Sequence, residues 1–412
     1  MHVLCTYLSR CGIGETVMKT HWDIIVIGGG PGGIFAALEA AKAGRSVVLF
    51  ERKREMGIPV RCGEAVGELD FASYVGIEPR WISSRVNTFV MVLPDGREVE
   101  LKSDLYSGFI LNRDLFEYDM AARASDAGAC IRMKANVQDL IRETKDGPVK
   151  GVRVMEHGIL KEYYARIVIA ADGVESRIAR QMDIQTALKP EDIEPCVQVT
   201  ASGVHMNEHA LYIYVGSCYA PGGYAWVFPK AGNCANIGLG INGKYATEDM
   251  HAKDYLDRFM ERFFPDASIQ RYVTGGVPVT TNLKTLVKEN LMIVGDAGHM
   301  VNPLNGGGIT HAISSGIRAG KAAAEACADP GKIKKIFSGY EKDIYKQFGK
   351  NHEHQYRIKD VVYQLSDEDY NRIGTEFLKL DVDKRTFLKM FTLVVKQKPE
   401  FIVDVIRAYS GI

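Results

Sequence analysis

The stretch WDIIVIGGGPGGIFAALEAAKAGRSVVLFERK, residues 22–53, constrains the fold more than any other segment. DIIVIG is apolar and β-branched like a buried strand, FAALEAAKAG is a helix closed by Gly44, and SVVLFE is a second strand. Together they make one βαβ unit. Gly28-x-Gly30-x-x-Gly33 falls at the strand-to-helix turn, and Glu51 ends the second strand. In that context the glycines permit a tight turn and close backbone approach, and the helix N-terminus offers N–H groups and a positive dipole end to a pyrophosphate. Glu51 stands where a carboxylate accepts hydrogen bonds from adenosine ribose hydroxyls. A dinucleotide is expected here.

Composition narrows the ligand and the setting. Lys plus Arg equals Asp plus Glu at 51 each over 412 residues, so there is no basic excess for nucleic acid. Hydrophobic residues at 46% are enough for a large core. The eight cysteines (5, 11, 62, 130, 196, 218, 234, 327) show no C-x-x-C and no finger-like spacing with histidine. Their scatter points to a reducing cytoplasm and away from a disulfide framework, an iron–sulfur cluster or a structural metal. MHVLCTYLSRCGIGETV lacks the basic start and long apolar run of a signal peptide, so residues 1–21 read as an extension. No segment has the roughly 18 or more successive apolar residues of a transmembrane helix.

Along the chain, VNTFVMVLPDGREVELKS (86–103) has two alternating strands around PDG, and DLFEYDMAARASDAGA (114–129) is helical. CVQVTASGV, ALYIYVGS, YAWVFPK and CANIGLGI predict an antiparallel sheet between 193 and 275, with the helix AKDYLDRFMERFF (252–264) interrupting it. Beyond Pro330 helical spacing runs to the end, and Ser366 is placed to cap LSDEDYNRI. His352 and His354, two apart on a helix, do not face together, which argues for a solvated face over a metal site.

Two more segments complete a pattern. ARIVIAADGVESRIAR (165–180) places Asp172 directly after a strand, and LMIVGDAGHMVNPLNGGGITHAI (291–313) places Asp296 after another, before Gly306-Gly307-Gly308 opens a helix. With the first βαβ unit, these motifs resemble those of the p-hydroxybenzoate hydroxylase-like flavoprotein superfamily. The resemblance implies FAD, with Asp172 near the dinucleotide and Asp296 on the flavin ribityl chain. It also places the helix opening at Gly308 and Ile309 by the flavin pyrimidine edge, where the helix dipole stabilises reduced flavin. Arg113 matches an arginine that the superfamily uses near the cofactor, and His299 a common histidine slot. In one departure, the arginine of the second motif comes at Arg180, a residue later than usual after Ser176. No second βαβ unit built on such a glycine turn appears, so the electron donor stays open between NAD(P)H, ferredoxin and other carriers.

PVRCGEAVG (59–67) and GGYAWVFPK (222–230) resemble two marks of the geranylgeranyl reductase family, in its archaeal branch acting on digeranylgeranylglycerophospholipids. The resemblance implies an α/β fold with α+β elements: a Rossmann-like FAD-binding domain, an inserted antiparallel-sheet substrate domain and a C-terminal helical region. The corresponding segments are 22–80, 105–185 and 280–330 for FAD, 81–104 and 186–279 for substrate, and 331–412 for the helices. Cofactor contacts are expected at Gly28, Gly30, Gly32, Gly33 and Glu51, then at Cys62, Gly63, Ala65, Arg113 and Val137, and finally at Asp172, Asp296, Gly308 and Ile309. The implied activity is saturation of geranylgeranyl C=C bonds in membrane phospholipid biosynthesis, in the cytoplasm or in peripheral contact with the inner face of the membrane.

An isolated trisubstituted alkene has no conjugated carbonyl to take up charge, so hydride delivery needs a proton at the other carbon. Such a site is dry, apolar and supplied with an acid. Tyr224, Trp226 and Phe228 alternate onto one strand face and suit a substrate wall, or equally a sheet core. Cys62 is the candidate catalytic residue. Proton donor, redox or covalent flavin partner, and plain loop contact remain alternatives, because an unperturbed thiol near about 8.5 is a weak acid and needs a polarising neighbour such as Arg61 or Glu64. Two other functions fit parts of the pattern. YAWVFP has a faint likeness to the halogenase W-x-W-x-I-P, which suggests a halogenase or monooxygenase. A FixC-like electron carrier to quinone is the non-enzymatic alternative.

Overall fold

The computed structural model describes residues 19–102, 107–381 and 384–397. Residues 1–18 of the N-terminal extension and 398–412 of the expected last helix lie outside it.

The opening unit forms as β1 (His21–Ile27), α1 (Pro31–Lys42) and β2 (Val47–Glu51). Next come β3 (Ala65–Gly67), the short α2 (Glu68–Ala72), β4 (Ile82–Val86), β5 (Thr88–Val92) and β6 (Glu98–Lys102). β7 (Gly108–Leu111), α3 (Arg113–Asp126), β8 (Cys130–Met133) and β9 (Ala135–Arg142) lead to β10 (Val149–Glu156), β11 (Ile159–Ala170) and α4 (Arg177–Arg180). The middle of the chain is β12 (Ile193–Ser202), β13 (Ala210–Val215), β14 (Tyr224–Lys230), β15 (Cys234–Gly240), α5 (Ala252–Phe263) and β16 (Ser268–Pro278). β17 (Val287–Lys288), β18 (Leu291–Ile293) and α6 (Ile309–Ala328) return to the first sheet. Four helices follow: α7 (Ile333–Ile344), α8 (Lys350–Val362), α9 (Asp367–Leu378) and α10 (Phe387–Gln397).

Strands β18, β11, β1, β2 and β8 lie side by side in parallel. A parallel array is covered on both faces, which is why Ile24, Ile25 and Val26 are all wholly buried with no alternation. α1 and α6 cover one face and meet very closely. A Cβ added at Gly316 would lie 2.2 Å from the Gly32 carbonyl oxygen, and one at Gly320 would lie 2.4 Å from that of Ala36. These two glycines, four apart on one face of α6, let the helices pack backbone to backbone.

The second sheet has the order β16-β12-β15-β14-β13-β5-β6. It is mixed, where the sequence suggested it was antiparallel, because β13 pairs with β5 in parallel, Tyr212 against Val90. The β5–β6 hairpin arrives from earlier in the chain as a unit, and its direction is independent of the β12–β15 meander. β4 stays apart from this sheet and joins β3 and β7 in a three-stranded one. The whole is an α/β fold with a Rossmann-like FAD-binding part, a sheet insertion and a C-terminal helical region.

The helices dock by polar anchors as well as apolar faces. Tyr340 on α7 donates to the carbonyl of Ile293 at 2.6 Å, and Ser366 and Asp369 close a capping box on α9. His352 and His354 are both buried, which corrects the expectation of a solvated face. α8 is covered on that side by α6 and Phe348: the His352 ring lies 4.7 Å from His311 and 5.2 Å from Phe348.

The α1–α6 contact gives a direct test. Gly316→Ala is expected to lower stability by about 1–3 kcal/mol through overpacking, read as a reduced urea midpoint. Gly339→Ala on α7, where a Cβ meets nothing within 4 Å, should leave that midpoint unchanged or slightly raised.

Candidate functional site

Successive residues of a strand face opposite sides, and in β12, β14 and β15 that alternation separates two chemistries. Val197, Val199, Ala225, Val227, Ile237 and Leu239 pack with Leu256 and Phe259 of α5. The other face carries Glu194, Cys196, Gln198 and Thr200 on β12, Asn236, Gly238 and Gly240 on β15, and Tyr224, Trp226, Phe228 and Lys230 on β14. Pairing arranges most of them in three rungs, Cys196–Gly240–Tyr224, Gln198–Gly238–Trp226 and Thr200–Asn236–Phe228. The glycines make room: a Cβ at 238 would lie 2.5 Å from the Trp226 ring, and one at 240 would lie 2.8 Å from Cys196 Sγ. The three rings follow one another, with centroids 5.9 Å apart for Tyr224–Trp226 and 6.2 Å for Trp226–Phe228.

The loop containing Cys62 is stapled across this face. Gln198 accepts from Trp226 Nε1 at 3.0 Å and donates to the Cys62 carbonyl at 2.9 Å. Gly63 lies flat against Phe228, where a Cβ would come within 2.6 Å of the ring. Asn236 donates to the Gly63 carbonyl at 3.2 Å and to the Glu64 carboxylate at 2.6 Å. That carboxylate also takes Lys230 Nζ at 2.6 Å and the backbone N–H of Arg113, the first residue of α3, at 2.9 Å. Glu64 holds φ at 72°, a left-handed conformation unusual for a side-chain-bearing residue.

Cys62 has a different polarising neighbour from those expected. Arg61 is exposed. Glu64 reaches the thiol through its backbone N–H, 3.2 Å from Sγ, while its carboxylate turns to Lys230 and Asn236. Arg113 takes the polarising place. Burial works against its charge, but Glu117, bound at 2.6 Å, and the Cys62 side chain hold the guanidinium well above its ordinary range.

On the dinucleotide side, Gly28 holds φ at 105°, and a Cβ there would lie 2.2 Å from the Ala171 carbonyl. A Cβ at Gly33 would meet the Gly28 carbonyl at 1.9 Å, and one at Gly32 would touch Val294 at 3.2 Å. α1 starts with no side-chain cap and with Pro31 in its first turn, and a Cβ at Gly30 meets nothing within 4 Å. Its first amides are therefore available to an anion. Glu51 accepts the N–H of Gly29 at 2.6 Å and of Lys53 at 2.8 Å, one on each oxygen, which leaves lone pairs for hydroxyl donors. Asp172 accepts from Ile178 N on one oxygen, while its other oxygen is buried without a partner. An orphaned buried acceptor is costly, so this one fits a ligand donor.

Arg180, displaced in the sequence, returns to the same loop through the carbonyls of Glu175 and Ser176. Burial pushes the Asp296 carboxyl up, with the charge of Arg113 opposing, and Asp296 Oδ1 would stand 3.4 Å from a Cβ on Gly308, just before Ile309 starts α6. Ala65 packs beside Trp226 and Phe228, and Val137 on β9 pairs with Val154 of β10. His299 is buried, with Nε2 3.3 Å from the Thr186 carbonyl. Arg113, Cys196, Tyr224 and Asp296 are half-buried.

Sequence reasoning missed Glu194, Gln198, Asn236, Lys230 and the glycines at 238 and 240. A signal was present: in EPCVQVTAS polar residues alternate with apolar ones, which marks a sheet face that is not simply core. Glu64→Ala would leave the half-buried Lys230 with the Leu111 carbonyl as its remaining partner. It is expected to cost about 3 kcal/mol or more, as for one partner removed from a buried ion pair, seen in urea unfolding together with faster proteolysis of the 54–64 loop.

Two family models match the chain: FAD dependent oxidoreductase over residues 23–179, and geranylgeranyl reductase catalytic domain over residues 192–278. A digeranylgeranylglycerophospholipid reductase of Methanocella arvoryzae is 38% identical over 393 residues, covering 94% of this chain and 99% of the relative. One from Methanosarcina mazei is 37% identical over 94% of this chain and 96% of its own length. A solved geranylgeranyl bacteriochlorophyll reductase-like protein of Thermoplasma acidophilum superposes with TM-score 0.87 at 30% identity, covering 95% of this chain and 100% of that one. A flavin-dependent brominase superposes with TM-score 0.69 at 16% identity over 95% of this chain and 100% of its own, a likeness of fold alone.

Proposed function

The chain belongs to the geranylgeranyl reductase family of FAD-dependent oxidoreductases, and from that premise we propose that it saturates the C=C bonds of geranylgeranyl chains on a digeranylgeranylglycerophospholipid. The observation that carries this reading is the pairing of an aromatic wall with the Cys62 loop. Tyr224 is the half-buried member of the aromatic row, Trp226 and Phe228 are buried beside it, and Gly63 lies directly on Phe228.

FAD, when bound, supplies the hydride. The amides opening α1, with Gly28, Gly30 and Gly33, would hold its pyrophosphate, and Glu51 its ribose. Asp172 offers an unpartnered carboxylate oxygen and Asp296 a second carboxylate. Gly308 and Ile309 would present the N-terminus of α6, whose dipole favours negative charge at that end. Arg113 holds a fixed positive charge beside Cys62 and Asp296. The site excludes water by the staples from Gln198, Asn236 and Lys230, which hold the loop down on the sheet.

A lipid substrate keeps its head group at a membrane surface. No helix of the described residues is long and apolar enough to cross a membrane, and the proposal is peripheral contact, with electrons arriving from NAD(P)H, ferredoxin or another carrier. Family membership favours this function over the halogenase and carrier alternatives. Tyr224 also stands where the halogenase pattern has its first tryptophan.

Anaerobic incubation of the reduced protein with geranylgeranyl phospholipid is expected to add two hydrogens per double bond, read by mass spectrometry. Flavin reoxidation without saturation would favour a carrier, and oxygen- or halide-dependent products a halogenase or monooxygenase. In the same assay, Cys62→Ala should keep flavin reduction while slowing saturation by on the order of 10-fold or more. Undiminished saturation would remove Cys62 from the chemistry.

A further inference from the structure

The functional face of β12 continues beyond the loop. Gln198 binds the Cys62 backbone, Cys196 comes next on the same face, and Glu194 lies one step further. Glu194 is 4% exposed, and a Cβ at Gly240 would be 3.3 Å from its Oε2 as well as 2.8 Å from Cys196 Sγ. The side chains of Glu194 and Cys196 thus fold together over the hollow that this glycine leaves, on the rung shared with Tyr224. Tyr224 in turn donates to the carbonyl of Asn305 at 2.6 Å, inside the loop that leads to Gly308. This places the carboxyl on the aromatic wall, toward the end that adjoins the third flavin motif.

The surroundings of Glu194 are mostly uncharged. The Tyr363 hydroxyl, just after α8, hydrogen-bonds Oε1. Lys359, four residues earlier, is the nearby cation, but its Nζ is committed to the carbonyls of Val279 at 2.7 Å and Glu191 at 3.3 Å. Asp192 and Asp360 also act on Lys359, and Asp192 accepts from Tyr356 at 2.8 Å. Cys196 and Tyr224 complete the titratable groups around the carboxyl.

We propose that Glu194 is the acid of the reaction, the group that gives a proton to the alkene carbon opposite the one that takes the hydride. This inference rests on the alkene-reductase reading above. The balance closes: one C=C bond is lost and two C–H bonds form, one from the flavin's hydride and one from the carboxyl proton. The flavin is oxidised by two electrons, and Glu194 is left as carboxylate and recovers a proton from solvent. Burial pushes its pKa up to about 7, against the opposing pull of Tyr363 and Lys359, so both the acid and the carboxylate are populated near neutrality. A carboxylic acid is also a stronger donor than an ordinary thiol.

The test compares wild type, Glu194→Gln and Tyr363→Phe, each loaded with FAD. Wild-type saturation of the lipid is the control for the underlying reading; if it fails, that reading falls independently of Glu194. Given that activity, Glu194→Gln is expected to slow saturation by on the order of 100-fold or more, with flavin absorbance and flavin reduction unchanged. The wild-type rate should fall as pH rises through about 7, because the active form is the protonated one, and the glutamine variant should lack that limb. Tyr363→Phe removes a bond that favours the carboxylate, so it should move the limb to higher pH. Independently of turnover, infrared spectra of the resting protein should show a protonated carboxyl that titrates over the same range and is absent from Glu194→Gln. A glutamine variant with wild-type saturation or an unchanged pH limb would overturn the proposal. So would equal loss of flavin reduction, or the absence of the titrating carboxyl band.

Discussion

Glu64 ties the two halves of the molecule at the site. Its carboxylate, 3% exposed, receives the first amide of α3, the Lys230 ammonium and the Asn236 amide, while its backbone carbonyl receives Leu111 N. Those groups belong to the three-stranded sheet, the helix that carries Arg113 and the second sheet. The left-handed backbone at Glu64 costs of order 1 kcal/mol or more, and this set of bonds offsets it. With Gln198 on the Cys62 carbonyl and Asn236 on the Gly63 carbonyl, they hold the loop against the aromatic strand.

Strand alternation then assigns the chemistry. One set of residues in β12, β14 and β15 closes the core with α5, and the opposite set carries aromatic rings, amides, a thiol and a carboxyl. The close contact of α1 and α6 through Gly316 and Gly320 fixes the two glycine-opened helices against each other, backbone to backbone.

Much was legible before any coordinates. Gly28, Gly30 and Gly33 announce their turn because the steric demand is local: the forbidden Cβ positions lie within a few residues or on the adjacent strand. The alternation of Tyr224, Trp226 and Phe228 was likewise readable, since a strand has a period of two. The order of the three flavin motifs pointed to the family, and the relatives agree. The mixed pairing of β5 with β13 was not readable, because it depends on where a hairpin docks some 120 residues from its partner strand. The burial of His352 and His354 was also hidden, since helical spacing gives a face but does not say what covers it.

By itself, the sequence determined the parallel βαβ core, the three flavin motifs, the aromatic strand and the presence of a glycine-rich cysteine loop, because each is written in contiguous residues with a fixed period or spacing. The tertiary structure alone decided which groups surround Cys62 and which surround Glu194. Arg113 stands about 50 positions from Cys62, and Tyr363 stands 169 from Glu194. No local rule encodes such meetings. They follow from how three sheets and a helical region close on one another, and burial then sets the charge state of the groups enclosed.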